Sequence, residues 1–105
     1  MSELVTVTFE NDVATLHMDD GKANAYGPAM IAALSEGLDR AAAQAKAVVI
    51  AGRPGVFCAG FDLKIIRGDD AAAAAAMRDA GRELLLKAYL HPQPLVHACT
   101  GHALA

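Results

Sequence analysis

Residues 52–64 read GRPGVFCAGFDLK: three glycines and a proline around an apolar pair, ending in a charged, helix-like DLK. Just before it, residues 47–51 read AVVIA, a short run that is apolar throughout and suits a strand covered on both faces. A strand, a glycine turn and a helix start make the α/β arrangement in which ligands gather beyond the carboxyl ends of parallel strands. Glycine lets the backbone pass close to a ligand. A helix beginning at Phe61 or Asp62 would also leave amide groups without intrahelical partners. Such donors suit an anion, or an oxygen acquiring negative charge. The spacing of Gly52, Gly55 and Gly60 is not the dinucleotide fingerprint, and no Gly-Lys-Ser/Thr closes a phosphate-cradling loop. Val56, Phe57, Cys58 and Ala59 offer apolar walls, so the functional reading is an organic substrate with one carbonyl to polarise. On the residues alone, a plain surface turn joining strand to helix stands equally beside it.

Working outward, LVTVTFE (4–10) alternates, with Val5, Val7 and Phe9 on one face of a half-buried strand. Asn11 and Asp12 signal a turn, and VATLHM (13–18) returns with Ala14, Leu16 and Met18 on one face, which predicts a hairpin. Residues 19–27 read as a loop. Pro28 opens a helix, where a fixed φ and a missing donor cost nothing. Met30, Ile31, Leu34, Leu38 and Ala41 then mark its apolar face to about Gln44.

Beyond the glycine loop, FDLKIIR (61–67) predicts a brief helix closed by Gly68, and Asp69 or Asp70 can cap the next one. Six alanines (71–76) begin that helix, since alanine is the best helix former. It runs to about Leu90 and buries Met77, Leu84, Leu85 and Ala88. HPQP (91–94) stops it, and LVHACT (95–100) predicts another buried strand, parallel to AVVIA through a right-handed crossover. The order is β-β-α-β-loop-α-β, within one α/β domain over residues 1–105. GHALA (101–105) stands where such a fold would start its next helix, so the chain reads as truncated after Ala105, or as one that borrows a partner's surface.

Composition excludes several function classes. Apolar residues make up 54% of the 105 and charged residues 20%, which is globular rather than disordered. A net charge of -3 with scattered lysines and arginines gives no footprint for nucleic acid and no polybasic membrane anchor. No run approaches the ~20 apolar residues of a membrane span, and the N-terminus lacks a signal-peptide pattern. The expected location is cytoplasmic, where the two cysteines do not make a disulfide framework.

Single residues are read conservatively. Cys58 has no base placed beside it by sequence and reads as small loop packing. Cys99 reads as core. His97 and His102 are too few for a metal site, and His102 reads as lining the presumed pocket. Glu10, Glu36 and Asp39 read as solvated charges, and Tyr26 and Tyr89 as core-edge aromatics. Asp62 suits the first turn of a helix through the dipole alone.

Three segments, DDGKANAYGPAMIAAL (19–34), GVFCAGFDLK (55–64) and HPQPLVHACTGHALA (91–105), occur in the order and spacing that resembles the crotonase superfamily of enoyl-CoA hydratases and isomerases. The resemblance covers essentially the whole chain. It implies a spiral of repeated ββα units, of which this would be the N-terminal part, assembling as a homotrimer or hexamer. It implies an acyl-CoA thioester as substrate, with no cofactor beyond the CoA of that substrate and no metal. The residue after the Ala-Gly pair, Phe61, would donate its backbone N–H to the thioester oxygen. Lys22, Ala23, Ala25, Ala59, Phe61, Asp62 and Leu63 would contact the substrate, and Lys64 could approach the CoA phosphates. The loop lacks the arginine–proline entry usual in the family. The second oxyanion donor would follow Ala105, and the proton-moving glutamates would lie further on. The 105 residues alone are therefore not expected to turn over substrate. The alternatives are a non-catalytic binding or assembly fragment and, more distantly, an unrelated α/β nucleotide-binding domain.

Overall fold

A computed structural model describes residues 4–104. Strands β1 (Val5–Glu10) and β2 (Val13–Met18) fold back on each other through Asn11 and Asp12. Both turn residues stand at positive φ (52° and 65°), the twist that a two-residue hairpin requires and that Asn and Asp tolerate. Ala14, Leu16 and Met18 are all buried, as their alternation predicts.

Helix α1 (Pro28–Gln44) begins on its proline and lays Met30, Ile31, Leu34, Leu38 and Ala41 against the sheet. Each large side chain on that stripe contributes roughly 1.5–3 kcal/mol by leaving water. Strand β3 (Ala47–Ala51) then pairs parallel with β2 from Val13↔Ala47 to His17↔Ala51. Strand β5 (Leu95–Ala98) pairs parallel with β3, so the main sheet has the order β1-β2-β3-β5. The parallel pair joined by a helical crossover is thus present.

Two strands were not expected. Val56 and Phe57 lie in β4 (Gly55–Cys58), and GHA forms β6 (Gly101–Ala103) rather than a helix start. The two pair parallel as a second, two-stranded sheet, held further by Leu104 N–H donating to Cys58 O (2.9 Å). Such short runs carry no readable periodicity; each owes its form to the other, across more than forty residues of chain. The core strands β3 and β5 each pass directly into a strand of this smaller sheet.

Helix α2 (Leu63–Ile66) is capped by the Asp62 carboxylate, which accepts from Lys64 N–H at 2.9 Å. Asp70 caps α3 (Ala71–Tyr89) in the same way, through Ala73 N–H at 2.9 Å. Helix α3 buries Ala74, Met77, Gly81 and Leu84, but Leu85 is 60% exposed and Tyr89 86% exposed, against expectation. It packs on α1 and α2, and with Ala74, Met77, Gly81 and Leu84 on its buried side, Leu85 and Tyr89 turn outward. Strand β5 likewise differs from the buried strand expected at 95–100. It lies at the sheet edge, Val96 is 57% exposed, and Cys99 just after it is an exposed free thiol rather than core. Asp39 is not merely solvated: it pairs with Lys87 Nζ at 2.7 Å, joining α1 to α3. No helix among the described residues is long and apolar enough to cross a membrane.

Candidate functional site

The loop at 19–27 and the glycine segment at 52–62 meet through a polar hub that the sequence did not announce. Asn24 is fully buried at a φ of 55°, a conformation asparagine tolerates better than most residues. Its Nδ2 donates to Met18 O (3.1 Å) and Phe57 O (3.2 Å), joining β2 to β4. Its Oδ1 accepts from Asp20 N–H at 3.0 Å, and Asp20 Oδ1 accepts from Asn24 N–H at 3.0 Å. Arg53 closes the same loop from the glycine side. Its guanidinium donates to Asp19 Oδ1 (2.8 Å) and to the Lys22 carbonyl. The bond from Gly21 N–H, and then the Arg53 guanidinium, hold the Asp19 carboxyl below its usual range.

A second junction lies at Gly60 and Phe61. Tyr26 N–H donates to Gly60 O at 2.7 Å, so Tyr26 and Phe61 lie side by side as a parallel bridge. Gly60 stands at a φ of +85°, where a side chain would be strained, and its N–H donates to Cys58 Sγ at 3.2 Å. Both backbone groups of Gly60 are thereby used. The amide of Phe61 donates to no acceptor among the described residues. Phe61 precedes the Asp62 cap, so ordinary helix pairing does not claim it.

Tyr26, Cys58, Gly60, Phe61, Gly81 and Leu85 line a cavity of about 60 Å³. Burial pushes the Tyr26 hydroxyl well above the usual tyrosine value, with the Cys58 thiol beside it adding to the shift. Burial likewise pushes the Cys58 thiol up, opposed in part by the Gly60 N–H. Both groups are neutral at pH 7, and the lining includes no carboxylate or imidazole.

Among the residues expected to touch substrate, Ala25 and Asp62 come together, lining a groove of about 200 Å³ with Asp20, Gly27 and Pro28. Ala59 is half-buried beside Gly60, and Phe61 is half-buried against the core. Lys22, Ala23 and Leu63 are exposed and line neither that groove nor the cavity. His102 is exposed on β6 and is not among the residues lining the cavity, contrary to expectation. His97 instead faces a groove of about 370 Å³ with Tyr89, His91 and Gln93. No cluster of three metal-ligating residues occurs among the described residues.

Residues 8–105 match the family model for enoyl-CoA hydratase/isomerase. The chain belongs to that family. It is similar to an enoyl-CoA hydratase from Mycobacterium ulcerans, at 44% identity over 97% of this chain and a TM-score of 0.93. An enoyl-CoA isomerase from Mycobacterium tuberculosis gives the same identity and TM-score over 100% of this chain. A hydratase/isomerase-family protein from Pseudomonas syringae follows at 38% identity over 97% of this chain, with a TM-score of 0.92. The chain spans 45%, 46% and 44% of these three structures. A search of curated proteins gives no match. The fold is therefore the crotonase-like α/β fold, matched over somewhat under half of its length. Two relatives at equal identity carry the names hydratase and isomerase, so likeness does not choose between those reactions.

Sequence reasoning missed Asn24, Arg53 and Gly81 as parts of the site. Arg53 reaches Asp19 across 34 residues of sequence, a pairing no local pattern carries. Gly81 did leave a signal, because a glycine inside a helical run costs ~1 kcal/mol against alanine and asks for a packing reason. Asn24 left one too, as an asparagine in a loop rich in glycine and aspartate.

Proposed function

We propose that the chain binds an acyl-CoA thioester and that the Phe61 backbone amide donates to the thioester oxygen. The observation that carries this reading is that amide, without a hydrogen-bond partner among the described residues, on a residue lining an apolar cavity. An enolate oxygen forming there meets a fixed donor in a low-dielectric site, where such a bond is worth more than in water. Neutral Tyr26 and Cys58 add no negative charge to oppose it. Lys22, Ala23, Ala25, Ala59, Asp62 and Leu63 surround the remainder of the substrate. Lys22 and Lys64, exposed and in no ion pair among the described residues, suit the CoA phosphates. The chemistry draws on no cofactor besides the CoA of the substrate.

One observation favours a second, non-catalytic reading of these residues. The cavity lining offers nothing at its ordinary pKa to move a proton at neutral pH, so polarisation without proton transfer is what this part supplies. Hydration or isomerisation by the whole protein then relies on acid–base groups other than those lining this cavity. Assembly as a homotrimer or hexamer belongs to the same proposal and is checked by light scattering.

The test uses acetoacetyl-CoA, whose enolised form resembles the charged intermediate. It should raise the melting temperature, and ATP and NAD should not; a rise with the nucleotides alone would favour an unrelated nucleotide-binding domain. Phe61→Pro removes the N–H yet leaves the Tyr26–Gly60 bond its own donor and acceptor. It should weaken acetoacetyl-CoA binding by roughly 10- to 150-fold, the worth of a hydrogen bond to a charged group. Phe61→Ala, which keeps the amide, should lose much less. Equal losses in two well-folded variants would sink the donor role.

A further inference from the structure

Phe61 contributes a ring as well as an amide, and the ring's seat is unusual. It lies on Gly81 in the middle of α3, where an added Cβ would stand 2.6 Å from Phe61 Cζ. Gly81 is buried, so the helix backbone itself backs the ring. The ring cannot retreat toward α3, because it already rests on the one position without a side chain. The cavity beside it holds about 60 Å³. A water-sized group needs ~10–15 Å³, so this is room for roughly four to six such groups, the thioester carbonyl included.

We infer that Phe61 and Gly81 together form a stop that limits this site to short acyl groups, of about two to four carbons. The inference rests on the acyl-CoA reading above. The same residue that would polarise the carbonyl also fixes how far the acyl chain can run past it. Burial of a methylene is worth ~0.8 kcal/mol, about a fourfold gain in affinity for each one that finds room. Affinity should therefore climb from acetyl- to butyryl-CoA and then level off. Removing bulk from the ring extends the climb, and filling the Gly81 seat drives the ring into the cavity and shortens it.

The experiment is calorimetric titration of the chain and its variants with acetyl-, butyryl- and octanoyl-CoA, each variant first checked for an intact melting transition. The unaltered chain should bind octanoyl-CoA no more tightly than butyryl-CoA. Phe61→Leu should raise the octanoyl-to-butyryl affinity ratio by at least about fourfold, one methylene's worth. Gly81→Ala should instead lower the butyryl-to-acetyl ratio toward one. The opposite directions keep the test alive if either variant folds poorly. A steady gain per methylene out to octanoyl in the unaltered chain overturns the stop, as do ratios that both variants leave unchanged. Binding of no acyl-CoA of any length would instead overturn the acyl-CoA reading on which it stands.

Discussion

Helices α1 and α3 are close in length, 17 and 19 residues, yet they do different work. Helix α1 lays an apolar stripe on β1, β2 and β3 and turns its polar residues to water. Helix α3 buries Ala74, Met77, Gly81 and Leu84 and leaves Leu85, Leu86, Tyr89 and Leu90 exposed. Its opening alanines make helix from intrinsic propensity and need no core to do so. Helix α3 adds Met77 and Leu84 to the core and also shapes the cavity, by presenting Gly81 to Phe61. Lys87 holds the two helices together, reaching Asp39 at 2.7 Å and Ser35 Oγ at 2.8 Å.

The largest effect should come from cutting the closed side. Leu34→Ala removes a fully buried side chain and should cost about 2–5 kcal/mol in urea unfolding. Leu86→Ala, the same chemistry on the exposed face of α3, should fall within about 0.5 kcal/mol. Comparable losses would mean that α3's apolar face is covered in solution, and the contrast between the helices would fail.

Asn24→Ala asks whether the closed side extends through the loop to the glycine segment. It leaves the carbonyls of Met18 and Phe57 without that donor and puts alanine at a φ of 55°. We expect a loss of about 2–4 kcal/mol, combining the unpaired buried groups with the left-handed backbone. Asn24→Gly should recover only the backbone share. A full recovery would show the side-chain bonds to be incidental.

How far the fold was legible follows the same division. The hairpin, α1 and β3 were readable because their patterns are local. Ala14, Leu16 and Met18 are buried as alternation predicts, although on the facing strand Val7 is only half-buried and Phe9 is 38% exposed. Strand β3 buries Val48, Ile50 and Ala51 but leaves Val49 half-buried. The other side was misread wherever one end of a contact lay far away in sequence. Strands β4 and β6 are too short to show a period and form by pairing with each other. Leu85 and Tyr89 look like core on a helical wheel. Their exposure depends on which side of α3 meets α1 and α2, and that is the side carrying Ala74, Met77, Gly81 and Leu84. An amide without a helical partner was legible at the helix start expected at Phe61 or Asp62, and Phe61 has one. The partners of Asn24 and Arg53 were not, since they lie 33 and 34 residues away in sequence.

The smallest effect tests the rim, where the two loops meet in water. Asp19 accepts from Gly21 N–H at 2.9 Å and from Arg53 at 2.8 Å, and its carboxyl is held below the usual value of 3.8. A carboxyl whose folded pKa is depressed stabilises the fold fully above its unfolded value. That contribution is lost as pH falls through 3.8 toward the lower folded value. Asp19→Asn should thus lower the melting temperature slightly at pH 7, and the deficit should vanish at pH values well below 3.8. Asp79→Asn, breaking a 3.6 Å pair with Arg82 on exposed α3, should change little at any pH. High salt separates the causes, because it screens the guanidinium's charge but not the bond from Gly21. If that backbone bond is the larger cause, 1 M salt leaves most of the Asp19 deficit in place; its disappearance would assign the rim to Arg53 instead.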